Sequence, residues 1–267
     1  VSSVAVLAEH LAIQFVDTDT HRHFASGPKL RRQFLDWGLF HVEQSFLQLW
    51  KDFHKLLKQR NAALKQQLPQ HLTQHWDAAL VERATLLTDM RESYVKELEP
   101  RVVEMWSRIE HMSLPELRFS YYPGWTRDKS LQEMLEQSYP KDYAQGYTQY
   151  GPQRGDLKIR INTVPAWDVL SQGQQKMLSY ALRLAQAELL QEKVQKRCIF
   201  LIDDMPAELD QPTQAIIGHA LAEQGGQVFI TGIEADMLHS LDTSIAKHTH
   251  GADAMHFDIR ELLGCEL

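Results

Sequence analysis

The sequence predicts an α/β fold in which a helical arm is inserted into a core built on a parallel sheet. From Cys198 onward, apolar strands alternate with amphipathic helices, a pattern that requires crossovers between parallel strands. The strand that starts near Cys198 is apolar throughout, as expected for a strand buried on both faces. Farther upstream, apolar residues recur every three or four positions over long segments, which is the spacing of helices.

The arm is predicted from two of these long segments. The first ends near Pro69, which breaks the helical pattern, and the second begins near Trp76. A short polar break between two long helices indicates an antiparallel pair. We expect the arm to occupy residues 33–140 and to divide the head into a first part, residues 1–32, and a second part, residues 141–267.

Shorter elements are predicted around the arm from alternation and from turn residues. They are strands at 12–16, 117–122, 156–161, 197–202, 227–231 and 254–259, and helices at 131–137, 171–191 and 212–223.

Composition limits the class of protein. The chain has 267 residues and a formal net charge of −7, so contact with nucleic acid would require a local patch of Lys and Arg. Two cysteines form no disulfide framework, which favours a reducing cytoplasm. No run of 18 apolar residues occurs, so we expect no membrane association. Scattered histidines near the C-terminus, such as His248 and His250, are interpreted as surface residues rather than a metal site.

Two carboxylates follow the apolar strand at 197–202. Asp203 and Asp204 would stand at the carboxyl end of that strand, where open α/β sheets bind ligands. One such carboxylate can hold Mg²⁺ while its neighbour orients an attacking water. The alternative is that the pair only ends a strand and begins a turn.

A Ser-x-Gly-Gln sequence begins the helix at 171–191. Ser171 is suited to cap the helix, and Gly173 leaves backbone N–H groups open to an anion such as a γ-phosphate. An ordinary capped helix is the alternative. Asp210 comes shortly after the carboxylate pair and just before a further helix, where an acidic side chain also suits the helix dipole.

The Ser-x-Gly-Gln helix start, the strand that ends in Asp203-Asp204, and Asp210 follow one another along the chain. They resemble, respectively, the signature loop, Walker B strand and D-loop of an ABC-type ATPase. The chain as a whole resembles the RecF family of SMC/ABC-type ATPases, from about Val4 to about Arg260. The blocks that carry the resemblance are Gly27–His41, Leu57–Ala62, Gly146–Thr148, Gly151–Leu157 and Ala181–Gln186.

The resemblance implies a role for each motif residue. Those expected to contact ATP are Ser171, Gly173, Gln174, Asp210, Thr231 and, as a Q-loop residue, Gln14. Asp203 would bind Mg²⁺, and Asp204 would occupy the position of the catalytic carboxylate. The implied fold is an ABC/SMC-type ATPase head lobe with an inserted helical arm.

The resemblance also implies partners. RecF-like proteins bind duplex DNA and single/double-strand junctions as ATP-dependent homodimers, and they help to load RecA with RecR and, indirectly, RecO. The candidate DNA contacts are Lys29, Arg31, Arg32, Lys58 and Arg60. A solvated helix face is the alternative reading of these cations.

The chain departs from the family at one motif that matters. The phosphate-binding Gly-x-x-x-x-Gly-Lys-Thr loop does not occur in the 267 residues. We therefore expect the sequence to be a C-terminal portion that is inactive alone, with a weak DNA-stimulated ATPase in the intact protein. Gln153 also replaces the His that is usual in the family's Gly-Pro-His-Arg block.

Overall fold

The structure is a computed structural model that describes residues 4–109, 114–205 and 209–232. Within these ranges the helices are α1 Val4–His10, α2 Thr20–Ala25, α3 Pro28–Val42, α4 Phe46–Lys65, α5 Gln70–Thr73, α6 Asp77–Ser107, α7 Leu131–Gln145, α8 Ala166–Val169, α9 Gln172–Val194 and α10 Gln211–Glu223. The strands are β1 Ile13–Val16, β2 Arg118–Tyr122, β3 Asp156–Ile161, β4 Val164–Pro165, β5 Ile199–Ile202 and β6 Val228–Ile230.

The first sheet is parallel, with the order β1-β5-β6 and β5 in the centre. Alternate residues of its strands face a buried side, on which α9 lies against β1. The opposite side is open within the described residues, since the side chains of Phe15 and Phe229 are 51% and 54% exposed. The strand predicted to be buried on both faces, β5, has Phe200 and Ile202 buried on one face, while Ile199 and Leu201 on the other face are half-buried among the described residues. An apolar run indicates that a strand needs covering and does not identify the element that covers it.

The second sheet is antiparallel, in the order β2-β3-β4. β2 lies in the predicted arm and β3 in the predicted second lobe, so this ladder crosses the boundary at residue 140. α6 packs on both α4 and α9, and the buried apolar side chains of arm and head form one cluster. The division into residues 1–32, 33–140 and 141–267 stays a prediction.

Some predicted boundaries differ from the observed ones. The first long helical segment is broken at residues 43–45, where Glu43 adopts an extended conformation, so α3 and α4 are separate helices. The short helix α2, Thr20–Ala25, lies where no element was predicted. The strand predicted at 254–259 lies outside the described residues.

Two buried arginines tie the helices to the rest of the fold. Arg60 of α4 is fully buried, and its Nε donates to Asp77 Oδ1 at 2.7 Å while its Nη1 donates to Asp142 Oδ2 at 2.8 Å. Burial raises the pKa of Asp142, and the Arg60 cation opposes that rise. Arg91 of α6 forms a two-pronged ion pair with Asp36 of α3, both bonds being 2.8 Å long. Charges in these positions are stable because each guanidinium has carboxylates beside it.

Cys198 precedes the central strand β5 and is 2% exposed. Burial raises the pKa of its thiol to about 12, so the reactive thiolate is scarce. Among the described residues, no helix is both long enough and apolar enough to cross a bilayer.

Candidate nucleotide site

The carboxyl edge of the parallel sheet collects polar side chains from all three strands. Asp17 follows β1, Asp203 follows β5 and Thr231 follows β6. The backbone ladder continues one residue past the strands, because Asp203 N donates to Val16 O and Thr231 N donates to Ile202 O, each at 2.9 Å. Parallel strands end at a common edge, so these three residues share the position at which such sheets bind ligands.

Asp203 and Thr231 are in direct contact at this edge. The Thr231 hydroxyl donates to Asp203 Oδ1 at 2.6 Å and accepts a bond from Asp204 N at 3.0 Å. This single hydroxyl therefore fixes both the Asp203 carboxylate and the turn that follows. Asp204 has φ +51°, a left-handed conformation that Asp tolerates better than most residues. The structure thus joins three of the residues that the sequence singled out.

The Asp203 side chain is suited to Mg²⁺ without forming a closed metal cage. It is exposed, and one carboxylate oxygen remains beside the one bonded to Thr231. No group of three or more His, Cys, Asp or Glu residues close enough to hold a metal occurs in residues 4–109, 114–205 and 209–232. Mg²⁺ commonly combines one or two carboxylates with water and substrate phosphates, so the residues fit this ion only together with a phosphate ligand.

The start of α9 is an exposed capping box. Gln174 N donates to Ser171 Oγ at 3.3 Å, and Ser171 N donates to Gln174 Oε1 at 3.0 Å. A Cβ placed on Gly173 would meet nothing within 4 Å, so the backbone there is open to approach. Ser171 and Gln174 are thus bonded to each other, and the open part of this helix end is the Gly173 backbone with the positive end of the helix dipole.

The relation between α9 and the sheet edge follows from three contacts. Gln14 in β1 donates to Gln186 Oε1 at 3.1 Å and accepts from Arg183 Nη1 at 2.7 Å. Asp17, at the carboxyl end of β1, acts electrostatically on Arg183. The residue nearer the end of β1 therefore interacts with the residue nearer the start of α9, so the helix and the strand run antiparallel. Ser171 lies 12 residues before Arg183, a displacement of about 18 Å along the helix beyond the sheet edge.

The same contacts contradict the Q-loop role of Gln14. Its side chain is 2% exposed, and both its amide nitrogen and its amide oxygen are bonded to residues of α9. The inward-facing positions of β1 alternate, and Gln14 occupies one of them together with Val16. Gln14 is therefore a buried link between β1 and α9, and the prediction that it contacts nucleotide is wrong for this structure.

Arg183 and Gln186 were not among the predicted site residues. Burial lowers the pKa of Arg183 to about 10, and the negative charge of Asp17 partly offsets this. Gln186 also connects β1 and α9 to α3, because its amide nitrogen donates to Phe34 O in α3 at 2.8 Å. Both residues lie in the block 181–186 that resembles RecF, which was the available signal. Periodicity alone assigned them to an ordinary helix.

Asp210 caps α10, with Thr213 N donating to its Oδ1 at 3.1 Å. This contact is the one expected of any Asp before a helix with Pro in its first turn. Its role as the D-loop residue stays a prediction. Glu208, which precedes it, lies outside the described residues.

The candidate DNA contacts divide by exposure. Lys29 and Lys58 are exposed. Arg31 is held by Asp156, at 2.7 and 3.0 Å, and Arg32 donates to Gly155 O at 2.6 Å, so both have partners within the fold. The prediction for Arg60 is wrong, because this side chain has no exposed surface and its guanidinium is bonded to two carboxylates.

Comparison with known proteins gives the family. The family model for the RecF/RecN/SMC N terminal domain matches residues 12–254. A protein of Shewanella loihica (strain ATCC BAA-1088 / PV-4), the DNA replication and repair protein RecF, is 39% identical over 251 residues, covering 94% of this chain and 69% of the relative. The chain belongs to the RecF family. RecF of Coxiella burnetii (strain Dugway 5J108-111) is 41% identical over 251 residues, with 94% of this chain and 70% of the relative covered.

Solved structures of RecF proteins have the same fold. The recombination mediator protein RecF-ATPrS of the RecFOR pathway superposes with a TM-score of 0.77 at 22% identity, covering 88% of this chain and 66% of that one. The RecF-ATP structure gives a TM-score of 0.72 at 24% identity, covering 84% of this chain and 63% of that one. The predicted ABC/SMC-type α/β head with a parallel sheet is therefore confirmed.

Proposed function

We propose that this chain provides the signature-loop and Walker B parts of a RecF-type recombination mediator. In this proposal the protein binds DNA as an ATP-dependent homodimer at gaps and stalled forks. It would act with RecR, and indirectly with RecO, in loading RecA. Membership of the RecF family supports the proposal, as do the polar residues gathered at the sheet edge. A cytoplasmic location belongs to the same proposal.

The displacement of Ser171 from the sheet edge carries the dimer part of the proposal. A nucleotide held near Asp203 lies about 18 Å, along the α9 axis, from the helix start of the same chain. The exposed Gly173 backbone therefore points to a ligand held by another molecule. Two chains arranged head to head would each offer a sheet edge to one nucleotide and a helix start to the other. Asp210 would lie at the same interface.

Each residue at the edge then has a defined task. Asp203 would bind Mg²⁺, and Thr231 would fix the orientation of its carboxylate by the 2.6 Å hydrogen bond. Asp204 would orient and deprotonate the attacking water, a task that requires a carboxylate near the γ-phosphate. Mg²⁺, when bound, would supply positive charge against the phosphate oxygens. The helix start of the second chain would add backbone N–H donors at the γ-phosphate.

The alternative function is a non-catalytic module that binds DNA or protein and does not bind ATP by itself. One observation favours it for the 267 residues taken alone, namely that they contain no Gly-x-x-x-x-Gly-Lys-Ser/Thr loop. The ATPase proposal accordingly concerns a protein in which residues outside this sequence supply that loop.

A titration of Mg-ATP into the 267-residue chain tests the first part. We expect no saturable binding and no phosphate release, because the donors that hold the β- and γ-phosphates are not in the sequence. Saturable binding would contradict the assignment of the site, since the chain would then hold phosphates through residues other than those named.

A fusion protein tests the dimer. A RecF segment that carries the family's phosphate-binding loop would be joined to the start of this chain. We expect ATP to convert the fusion from monomer to dimer in light-scattering measurements. Ser171→Arg should abolish the dimer and leave monomeric ATP binding intact. Asp204→Asn should leave the dimer intact and slow phosphate release by about two orders of magnitude. Loss of ATP binding by the Ser171→Arg monomer would contradict a contact made by the second chain.

A further inference from the structure

Four lysines lie along one exposed side of α4. Lys51, Lys55, Lys58 and Lys65 are all exposed, and their spacing of four, three and seven residues returns to the same side of a helix. At about 100° per residue they fall within an arc of about 80°. Over these 14 residues the row is about 21 Å long. The charges therefore form a band along one side of the helix.

Two chain segments that adjoin this row carry no acidic residue. Neither residues 53–76 nor residues 143–155 contain an Asp or a Glu, although the chain carries a net charge of −7. Asp52 is the one acidic residue of α4, and the helical geometry places it about 60° outside the arc of lysines. Asp77 and Asp142 come from elements near α4, but they are buried and bonded to Arg60 on its opposite side. The exposed charged residues of α4 on the side of the row are therefore all cations.

A loop between α7 and β3 is clamped against the same helix. Thr148 N and Thr148 Oγ1 both donate to Asn61 Oδ1, at 2.8 and 2.7 Å. At Gly146 a Cβ would come within 3.1 Å of Lys65 Cγ, so loop and lysine side chain are already in contact. Arg154 lies over the Tyr147 ring at 5.4 Å from the centroid, and both side chains are exposed. The loop thus adds one cation and one aromatic ring beside the row.

We infer that these five cations form one binding surface for the phosphate backbone of duplex DNA. The α4 basic surface consists of Lys51, Lys55, Lys58, Lys65 and Arg154. The inference rests on the proposed DNA-binding function and identifies the surface that performs it. In this inference the exposed residues on one side of α4 take the place of Arg31, Arg32 and Arg60, which have partners within the fold.

The chemistry of the surface selects the backbone rather than the bases. Lysine ammonium groups on flexible stems act as point charges without the planar fork of arginine, which suits them to contact with phosphates. A row of about 21 Å matches the length of about six base pairs, over which each DNA strand presents one phosphate charge about every 3.4 Å along the axis. Thr148 and Asn61 hold the loop in place before any DNA arrives, so little ordering is needed on binding.

Duplex binding by matched charge variants tests the surface. The double variant Lys58→Gln/Lys65→Gln removes two cations of the α4 basic surface. The control Lys96→Gln/Lys129→Gln removes two exposed lysines, one on α6 and one before α7, with the same change in net charge. Affinity for a 30-base-pair duplex would be measured by fluorescence anisotropy from 50 to 200 mM salt, using the ATP-binding fusion described above in the presence of Mg-ATP.

The inference predicts a difference between the two variants. The Lys58/Lys65 variant should bind about tenfold more weakly at 100 mM salt, and the slope of log K against log salt should fall in magnitude by about 2. The control should match the unmodified fusion. Equal affinities for the two double variants would overturn the surface while leaving DNA binding in place. No binding by the unmodified fusion with Mg-ATP at 50 mM salt would overturn both this surface and the DNA-binding part of the proposed function.

Discussion

The arginines of the helical region and the carboxylates of the sheet edge are both charged, and they differ in what surrounds them. Arg60 and Arg91 are at most 2% exposed and bonded to carboxylates of neighbouring elements. Asp203 is exposed, and its bonded partner within the described residues is the hydroxyl of Thr231. The first arrangement stabilises the fold, because breaking it leaves a buried charge. The second leaves one carboxylate oxygen of Asp203 available to a ligand. Residue type alone therefore does not distinguish structural charges from functional ones.

The largest expected effect is on stability, at Arg60. Arg60→Ala would leave Asp77 and Asp142 as buried carboxylates without their cation, and we expect a loss of about 3–5 kcal/mol. Lys58→Ala, two residues away on the exposed side of α4, should change stability by less than about 0.5 kcal/mol. Urea unfolding followed by circular dichroism measures both. Similar losses in the two variants would mean that burial does not separate these cations.

The loss at Arg60 should also depend on pH. Burial raises the pKa of Asp142, so its protonated form is favoured in the folded state, and stability falls as pH rises through the folded pKa. Without Arg60 only the hydrogen bonds from Gln149 and Ser138 still oppose the rise, so the pKa of Asp142 should rise further. We therefore expect Arg60→Ala to destabilise the protein less at pH 4.5 than at pH 8. A difference from the unmodified chain that stays constant between these pH values would contradict this.

Two glycines give the next comparison. A Cβ on Gly38 of α3 would lie 2.0 Å from Tyr94 Oη and 2.8 Å from Gln186 Nε2, so Gly38→Ala should cost about 1–3 kcal/mol. Gly173→Ala meets no atom within 4 Å and should leave stability unchanged or raise it by up to about 1 kcal/mol. Thermal unfolding of both variants would show the contrast. A stable Gly38→Ala variant would show that α3 and α6 separate more easily than their packing indicates.

The sheet edge is expected to contribute less to stability than Arg60 or Gly38. Asp203→Asn and Thr231→Val remove groups from an exposed hydrogen bond and should each cost about 1 kcal/mol or less. In the ATP-binding fusion the same changes should slow phosphate release, because the carboxylate for Mg²⁺ is lost or misdirected. A large loss of stability in either variant would place the pair with Arg60 among the structural charges.

The sequence predicted most of the elements that bear the sheet-edge residues. The strands predicted at 12–16, 197–202 and 227–231 are observed at Ile13–Val16, Ile199–Ile202 and Val228–Ile230, and α9 and α10 begin within one residue of the predicted positions. The two helices combine a consistent period with a clear cap, a Ser or an Asp, so local and tertiary preferences agree. The break between α3 and α4 was missed because the apolar spacing continues on both sides of it.

The site was predicted less completely, and the reason is geometric. Lys58 and Arg60 were both predicted to contact DNA, yet two helical residues separated by two positions point about 200° apart. Their opposite exposures follow from that angle. Gln14 was misassigned because the alternation of β1 shows which positions face inward and does not show that a polar side chain there has partners in α9. Contacts between distant segments, such as that of Thr231 with Asp203, have no local signal.

Cys198 allows the rate at which the central strand separates from its neighbours to be measured. A thiol with a pKa of about 12 and 2% exposure reacts with a labelling reagent only when the strand beside it separates from its neighbours. In a Cys265→Ser variant, which leaves Cys198 as the single thiol, the labelling rate would therefore report how often the sheet opens beside this residue. Followed with and without duplex DNA, that rate would report whether a ligand on α4 changes how often the sheet opens.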